Sequence, residues 1–434
     1  MSVALPTAIV VTTLLVLIFL GCPIFVSLGM SGAIGILLMR GWAGISQAPL
    51  AMFGQLESFT LVAVPLFILM GEALFHTGIG GDLYGALSKW LRGLPGGLAV
   101  ASIYACAIFG AMCGVSIAGV ATIGVMAVPE MRKRGYETSF AAGSVTAAGA
   151  LAMLIPPSLL FILYGELARE SVGKLFIGGI IPGIILATMM SIYVIVRVIR
   201  NPSLAPKEMG GVTWREKFGS LTKVWPAVVL IALVLGTIYT GVCTPTESAA
   251  IGSAGAFIIA AVVYRAINVK STREILRATL RTTGAICAIL ACAMIFSQFL
   301  NLVRIPDAIA AWAVSMEIPR YGVVIILMLF LILLGMFIDG ASMVIVTTPI
   351  VLPAILALGF DSLWYGVVLL INLEMAVITP PVGLNLYTMK SVLPELDIGD
   401  IIRGTMPYVA IEVLCLLIFI FFPKLTLWLP STMG

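Results

Sequence analysis

Apolar runs long enough to enter a lipid bilayer recur through this chain with almost no charge inside them, and that limits what it can become. Leu14–Leu20, Val224–Tyr239, Val323–Phe337 and Val409–Phe422 are the clearest. A helix needs about 20 mostly apolar residues to cross the hydrocarbon core, and only a structure that satisfies its own backbone hydrogen bonds can do so. The 434 residues are 61% hydrophobic and only 10% charged, whereas a water-soluble surface is built from about 25% charged residues. The apolar total supplies about ten spans. The expected fold is therefore all-α and polytopic, with no water-soluble domain. The first apolar segment has no basic n-region and no small-residue cleavage site, so it is expected to remain as a helix.

Charge sets the expected orientation. The basic residues gather in Arg197–Lys223, Arg265–Arg281, Lys89/Arg92, Arg132-Lys133-Arg134 and Lys390/Arg403, which together hold 18 of the 24 Lys and Arg. Basic loops stay in the cytoplasm. Placing all of these there puts both termini in the periplasm. It also puts Arg92 and Arg132 on one side, although the 39 residues between them are almost wholly apolar. A segment that enters and leaves on one face is a re-entrant hairpin, with its expected tip at Gly110–Ser116. The stretch Lys270–Arg281, with Arg273, Arg277 and Arg281 on one face, reads as an interfacial helix lying on the cytoplasmic surface.

The two halves of the chain repeat. At a constant offset of 224 residues Pro129 matches Pro353, Gly135 matches Gly359, and Pro156-Pro157 matches Pro380-Pro381. Arg132–Arg134 precede Gly135, while Ala354–Leu358 before Gly359 carry no charge. The two loops then face opposite sides, which makes the repeats inverted, a recurring plan of secondary transporters. The expected organisation has three parts. Residues 1–200 form one repeat, with hairpin 95–131 and broken helix 136–168. Residues 201–223 form a cytoplasmic basic linker. Residues 224–434 form the second repeat, with hairpin 319–353 and broken helix 362–390.

Proline pairs inside apolar spans locate the chemistry. Each proline removes a backbone donor and blocks the helix, and the freed carbonyls need partners where there is no water. Leu154-Ile-Pro-Pro-Ser158 and Ile378-Thr-Pro-Pro-Val-Gly-Leu-Asn385 are thus expected to be helix breaks. Such breaks offer free carbonyls to a cation and helix ends to an anion. A simple packed kink is the alternative at either one. The second hairpin tip, Gly335–Met343, carries Asp339, a carboxylate that either neutralises a cation or caps a helix. Glu374, beside Asn372, is expected to hydrogen-bond the broken backbone. Glu72 and Glu412 also sit in apolar spans. Glu247 in Thr244-Pro-Thr-Glu247 carries a helix-start signal, and His76 reads as a helix-end residue at the interface. The small residues of Ala141–Ala152 and Ala249–Ala261 suit close helix packing.

These motifs resemble one family over nearly the whole chain, the large membrane subunit of the tripartite ATP-independent periplasmic (TRAP) transporters. The resemblance rests on Val64-Pro-Leu-Phe-Ile-Leu-Met-Gly-Glu72, Ala150–Ser158, Thr244-Pro-Thr-Glu-Ser-Ala-Ala250 and Asn372–Asn385. It implies an elevator-type transporter of the bacterial inner membrane that takes up organic acids on a Na⁺ gradient. It also implies two protein partners, a small four-helix membrane subunit and a periplasmic substrate-binding protein. One feature departs from the family. The first tip is often rich in serine after its glycine, and here it reads Cys113-Gly-Val-Ser116, which weakens a site built on serine hydroxyls but not one built on carbonyls.

The expectation is then Na⁺-coupled symport of a small organic anion, with Na⁺ as coupling ion, no organic cofactor, lipid around the chain and no nucleic-acid partner. Substrate and ions are expected at Gly110, Gly114, Val115, Ser116, Pro156, Pro157, Ser158, Gly335, Asp339, Gly340, Thr379, Pro380, Pro381, Gly383 and Asn385. The Na⁺ ligands are expected to be backbone carbonyls near Gly114, Ser116, Pro156, Gly340, Thr379 and Pro380. One rival is a one-component Na⁺- or H⁺-coupled carrier of similar architecture. An intramembrane protease fits poorly, since Asp339 is the only obvious membrane aspartate and His76 the only histidine. No P-loop supports a pump.

Overall fold

A computed structural model describes residues 4–206 and 212–433. Lys207 of the basic linker and the outermost residues of both expected repeats lie outside the described residues. Among those described, no strand occurs. The helices of the first half are α1 (Ala4–Phe19), α2 (Ile24–Ile45), α3 (Ala48–Leu56), α4 (Ala63–Phe75), α5 (Ile79–Leu91), α6 (Gly97–Cys113), α7 (Ser116–Lys133), α8 (Thr138–Ala150), α9 (Leu159–Ala168) and α10 (Val172–Arg200). The second half follows with α11 (Trp214–Tyr239), α12 (Pro245–Ile258), α13 (Val269–Leu302), α14 (Ile305–Ser315), α15 (Arg320–Gly335), α16 (Gly340–Ala357), α17 (Ser362–Ile378), α18 (Leu384–Val392), α19 (Ile398–Phe421) and α20 (Lys424–Leu427).

Among the described residues seven helical spans are long and apolar enough to cross a membrane singly, α12 only when counted on through Val263, and α3 with the following segment through α4 makes an eighth span bent by 58°. Fewer helices reach full length than the ten expected spans because 136–168 and 362–390 are each assembled from two shorter helices. The basic stretch Lys270–Arg281 corrects its reading: it is not a separate surface helix but the first turns of α13, 34 residues long. An Asn268–Ser271 capping box starts that helix, and no helix breaker follows to end it early. At α12 the Thr244-Pro-Thr-Glu247 signal works as read. The Thr244 hydroxyl accepts from the Glu247 N–H at 3.3 Å, and the Glu247 carboxylate accepts from the Thr244 N–H at 2.8 Å. His76 is the C-cap residue of α4, its Nδ1 at 2.9 Å from the Glu72 carbonyl.

The element boundaries keep the register of the sequence repeat. Helices α7 and α16 begin 224 residues apart, at 116 and 340, and end 224 apart, at 133 and 357. Helices α8 and α17 begin at 138 and 362, and the left-handed glycines before them are Gly135 (φ 83°) and Gly359 (φ 78°). Both diproline peptide bonds, Pro156-Pro157 and Pro380-Pro381, are cis.

Small residues allow the central helices to meet backbone to backbone. Helix α8 is buried from Ser139 to Ala150 and crosses α19 at a glycine pair. A Cβ on Gly143 would stand 2.1 Å from the Gly404 carbonyl carbon, and one on Gly404 only 1.8 Å from the Ser139 carbonyl oxygen. In lipid, where apolar contact alone gives helices no reason to prefer one another, such close approach supplies the packing energy. Around this centre, α2 packs on α13 and α4 on α12. At one end of the molecule Lys89, Arg92 and Lys217 line a single cleft together with Tyr136 and Pro206, so three of the basic stretches or their immediate neighbours converge there.

A cavity between two hairpin tips and two helix breaks

The first hairpin turns tightly. Helix α6 ends at Gly114 in the left-handed region (φ 65°), Val115 is extended, and α7 starts at Ser116. Glycine is required at 114 by conformation and also by space, since a Cβ there would lie 2.9 Å from the Pro157 carbonyl oxygen. The first tip is thereby pressed against the first diproline break. Gly110 lies a turn before the tip, inside α6, where an added Cβ would meet Ala152 Cα at 2.5 Å. Its role is packing, and the turn is narrower than the expected Gly110–Ser116.

The second hairpin turns at residues 336–339. Gly335 is the last residue of α15, packed where a Cβ would meet Ala376 at 2.6 Å. Asp339 is the N-cap of α16: its Oδ1 accepts from the N–H groups of Ala341 and Ser342, each at 3.1 Å, and its Oδ2 accepts from the Ser342 hydroxyl. Of the two roles left open by the sequence, capping is the one the geometry displays. Gly340 packs on the other repeat, where an added Cβ would meet Leu160 of α9 at 3.2 Å.

At the breaks, hydroxyls bridge the interruption. Ser158, extended at the start of α9, donates to the Met153 carbonyl, and Thr379 donates to the Met375 carbonyl at 2.6 Å. Their protons are thus committed to freed carbonyls, while their oxygens remain acceptors. Gly383 (φ 56°) turns the chain into α18. Asn385, in the first turn of α18, joins the two repeats. Its Oδ1 accepts from the Ser116 hydroxyl at 2.6 Å and its Nδ2 donates to the Thr146 carbonyl at 3.3 Å. Ser116 and Asn385 are both buried.

One cavity of about 300 Å³ collects these parts. Gly114, Val115, Ser116, Asp339, Gly340 and Asn385 of the expected site line it. Gly110, Pro156, Pro157, Ser158, Gly335, Thr379, Pro380, Pro381 and Gly383 do not; they shape the turns and breaks behind its wall. The sequence reading missed the contribution of α13, whose Thr282, Ala285, Ile286 and Ile289 close one side. Their spacing marks one helix face, but nothing in that pattern separates a cavity wall from ordinary packing. A larger groove of about 750 Å³ runs along the start of α13 and touches none of these residues.

The electrostatics of the cavity follow from helix ends. Ser116, Leu159, Gly340 and Leu384 are the first residues of α7, α9, α16 and α18, and all four line it. Each helix start carries unsatisfied N–H groups equivalent to about half a positive charge. Asp339 occupies that of α16. The starts of α7, α9 and α18 have no side-chain cap. Three uncapped positive helix ends thus meet at one partly open and mostly apolar space.

Glu374 faces the Leu154 N–H where the first break begins, in keeping with its expected place against the broken backbone, but neither buried carboxyl oxygen completes a well-formed hydrogen bond there.

Comparison with known proteins agrees with this geometry. The family model described as "Tripartite ATP-independent periplasmic transporter, DctM component" matches residues 11–425. A C4-dicarboxylate TRAP transporter large permease protein of Pseudomonas aeruginosa is 34% identical over 94% of this chain and 94% of its own length. An isethionate TRAP transporter permease protein, DctMQ, of Oleidesulfovibrio alaskensis is 31% identical over 94% of this chain and 64% of its own length. Among solved structures, the Alcanivorax borkumensis YdaH transporter shares the fold at a TM-score of 0.61 and 16% identity, over 96% of this chain and 98% of that one.

Proposed function

This chain belongs to the DctM-component family of the tripartite ATP-independent periplasmic transporters, and from that premise we propose that it carries out Na⁺-coupled uptake of a small organic anion across the bacterial inner membrane. The observation that carries the reading is the convergence of three uncapped helix starts on one partly open cavity lined by both hairpin tips. A carboxylate or sulfonate placed there accepts backbone N–H groups without needing a buried lysine or arginine. The relatives named for C4-dicarboxylates and for isethionate handle anions of that kind.

Na⁺ enters as a second cargo. Gly114 leaves room for the Pro157 carbonyl, and the helix ends at Gly114 and Thr379 carry the negative half of the helix dipole. Oxygen ligands of this kind, from unwound backbone at a helix break, suit Na⁺. Each Na⁺ held there neutralises part of the substrate charge, which lowers the cost of moving the loaded site through a low-dielectric surrounding.

In this reading the hairpins and broken helices move as a body against the helices outside them, exposing the cavity first to the periplasm and then to the cytoplasm. The two halves lie in the membrane with opposite orientation, both termini face the periplasm, and the basic end that gathers Lys89, Arg92 and Lys217 faces the cytoplasm. The partners are a small membrane subunit and a periplasmic binding protein. The isethionate relative, whose name joins M and Q, supports a small membrane subunit as partner.

Reconstitution tests the proposal. The chain with its small subunit is placed in liposomes, and uptake of labelled C4-dicarboxylates and small sulfonates is measured with an imposed Na⁺ gradient, with and without added binding protein. Uphill uptake that needs both Na⁺ and the binding protein is expected. Uptake unchanged when K⁺ replaces Na⁺ overturns Na⁺ coupling, and full uptake without the binding protein identifies a one-component carrier.

A further inference from the structure

We propose that Glu374 and Glu412 form a buried proton-binding site, separate from the substrate cavity, whose carboxyls share a proton that is exchanged during the transport cycle. Neither residue lines the cavity. Glu374 stands on α17 and Glu412 on α19, two helices that pack together, and the Glu412 carboxyl bears on Glu374. Both residues are 0% exposed, and none of the four carboxyl oxygens has a hydrogen-bond partner. The Leu154 N–H faces Glu374, but its hydrogen bond, 3.2 Å long, goes to the Leu151 carbonyl.

Two unpaired carboxylates cannot both be charged in such a place. Removing one ion from water costs several kcal/mol even after relaxation, and a second like charge nearby adds repulsion. A cation would relieve this, but the elements packed on α17 and α19 hold theirs elsewhere. Arg197 of α10 lies over the Tyr193 ring, and Arg320 of α15 over Tyr321 and Phe360. Lys390 of α18 donates to the carbonyls of Pro394 and Leu396. Lys174 and Arg200 of α10 and Lys424 of α20 are exposed. Glu166 of α9 accepts from Ser58, and Arg403 pairs with Asp400 near the start of α19. Helices α8 and α16 carry no charged residue. The titratable neighbours are Cys415, which feels both carboxyls, and Tyr408, one turn before Glu412 and edge-to-face with Tyr193. None of these supplies a positive charge; a proton, which needs no further ligands, neutralises the pair.

The pair is not demanded by the repeated fold. The residues 224 positions earlier are Ala150 and Thr188, so the first half builds the same helices without it. Its position links it to transport. Glu374 stands six residues before Pro380 on the helix that leads into the second break, and it faces Leu154, where the first break begins. A shift at either break that admits water changes the cost of charge on the pair. Uptake moves one proton from water onto a carboxylate oxygen, and release returns it to water; no other bond changes.

Infrared spectroscopy of the purified full chain in lipid tests this without requiring transport. The wild-type protein is expected to show the C=O stretch of a protonated carboxylic acid. That band should shift when glutamate is labelled with ¹³C at its carboxyl group, and should fall on raising the pH or on adding Na⁺ with substrate. The E374Q/E412Q double variant should lack it. In proteoliposomes wild-type uptake should change by up to about tenfold per pH unit on one side of the titration, and the double variant should be flat. Absence of a glutamate-sensitive band in the wild type at any pH overturns the proposal. So does a band that ignores pH, Na⁺ and substrate alike, because it would mark a static neutral pair. The labelled wild-type measurement decides the matter even if the variant fails to fold.

Discussion

The bond from Ser116 to Asn385 is the most informative one to break, because it joins residues 269 positions apart and links the first hairpin to the second helix break. Asn385→Ala removes two hydrogen bonds, the 2.6 Å bond from Ser116 and the 3.3 Å bond to Thr146. A net hydrogen bond contributes about 1 kcal/mol, and stranding a buried polar group costs about 1–3 kcal/mol. Asn385→Ala should therefore destabilise the occupied site by about 2–4 kcal/mol, and Ser116→Ala, which strands the Asn385 Oδ1, by about 1–3 kcal/mol. The double variant loses the shared bond only once, so it should fall short of additivity by about 1–2 kcal/mol, a 5- to 30-fold departure from the product of the single effects. The assay is the initial uptake rate at limiting Na⁺ in proteoliposomes, normalised to reconstituted protein. Single effects that multiply to within about twofold would refute the reasoning, since the two side chains would then act independently and the bond would not organise the site.

Other substitutions test other parts. Gly114→Ala must adopt φ 65° with its Cβ 2.9 Å from the Pro157 oxygen; a cost of about 1–2 kcal/mol for the left-handed backbone alone should raise the Na⁺ concentration for half-maximal uptake by at least about fivefold. Asp339→Asn keeps a good N-cap and should preserve uptake, whereas Asp339→Ala should cost about 1 kcal/mol; equal loss in both, measured by uptake and thermal inactivation, would show that the charge itself matters. Gly404→Ala places a Cβ 1.8 Å from the Ser139 oxygen, so the protein should lose its monodisperse profile on size-exclusion chromatography. Glu247→Ala breaks the Thr244 capping box and should lower the thermal inactivation midpoint slightly, with uptake otherwise kept.

Much of the architecture was legible in the chain because the forces that set it are local. Apolar length specifies spans, proline specifies where a helix stops, and the Thr244–Glu247 box specifies where one starts. Each depends on a few neighbouring residues. The 224-residue offset of Pro129, Gly135 and Pro156-Pro157 was readable for the same reason, and the helix boundaries follow it. The errors arose where a local signal allowed two outcomes. Lys270–Arg281 is amphipathic whether it ends as a surface helix or continues into a span, and α13 continues. Gly110 and Gly335 looked like turn residues but serve as close-packing positions.

Residue order alone made this chain a bundle of apolar helices with two interrupted spans, since in lipid the backbone must satisfy its own hydrogen bonds and a diproline cannot. Packing alone fixed which helix starts converge on one cavity, that Asp339 caps its own helix, and that Glu374 sits between Glu412 and the first break. Those outcomes depend on contacts between residues far apart in the chain, and such contacts are set by packing that no local pattern encodes.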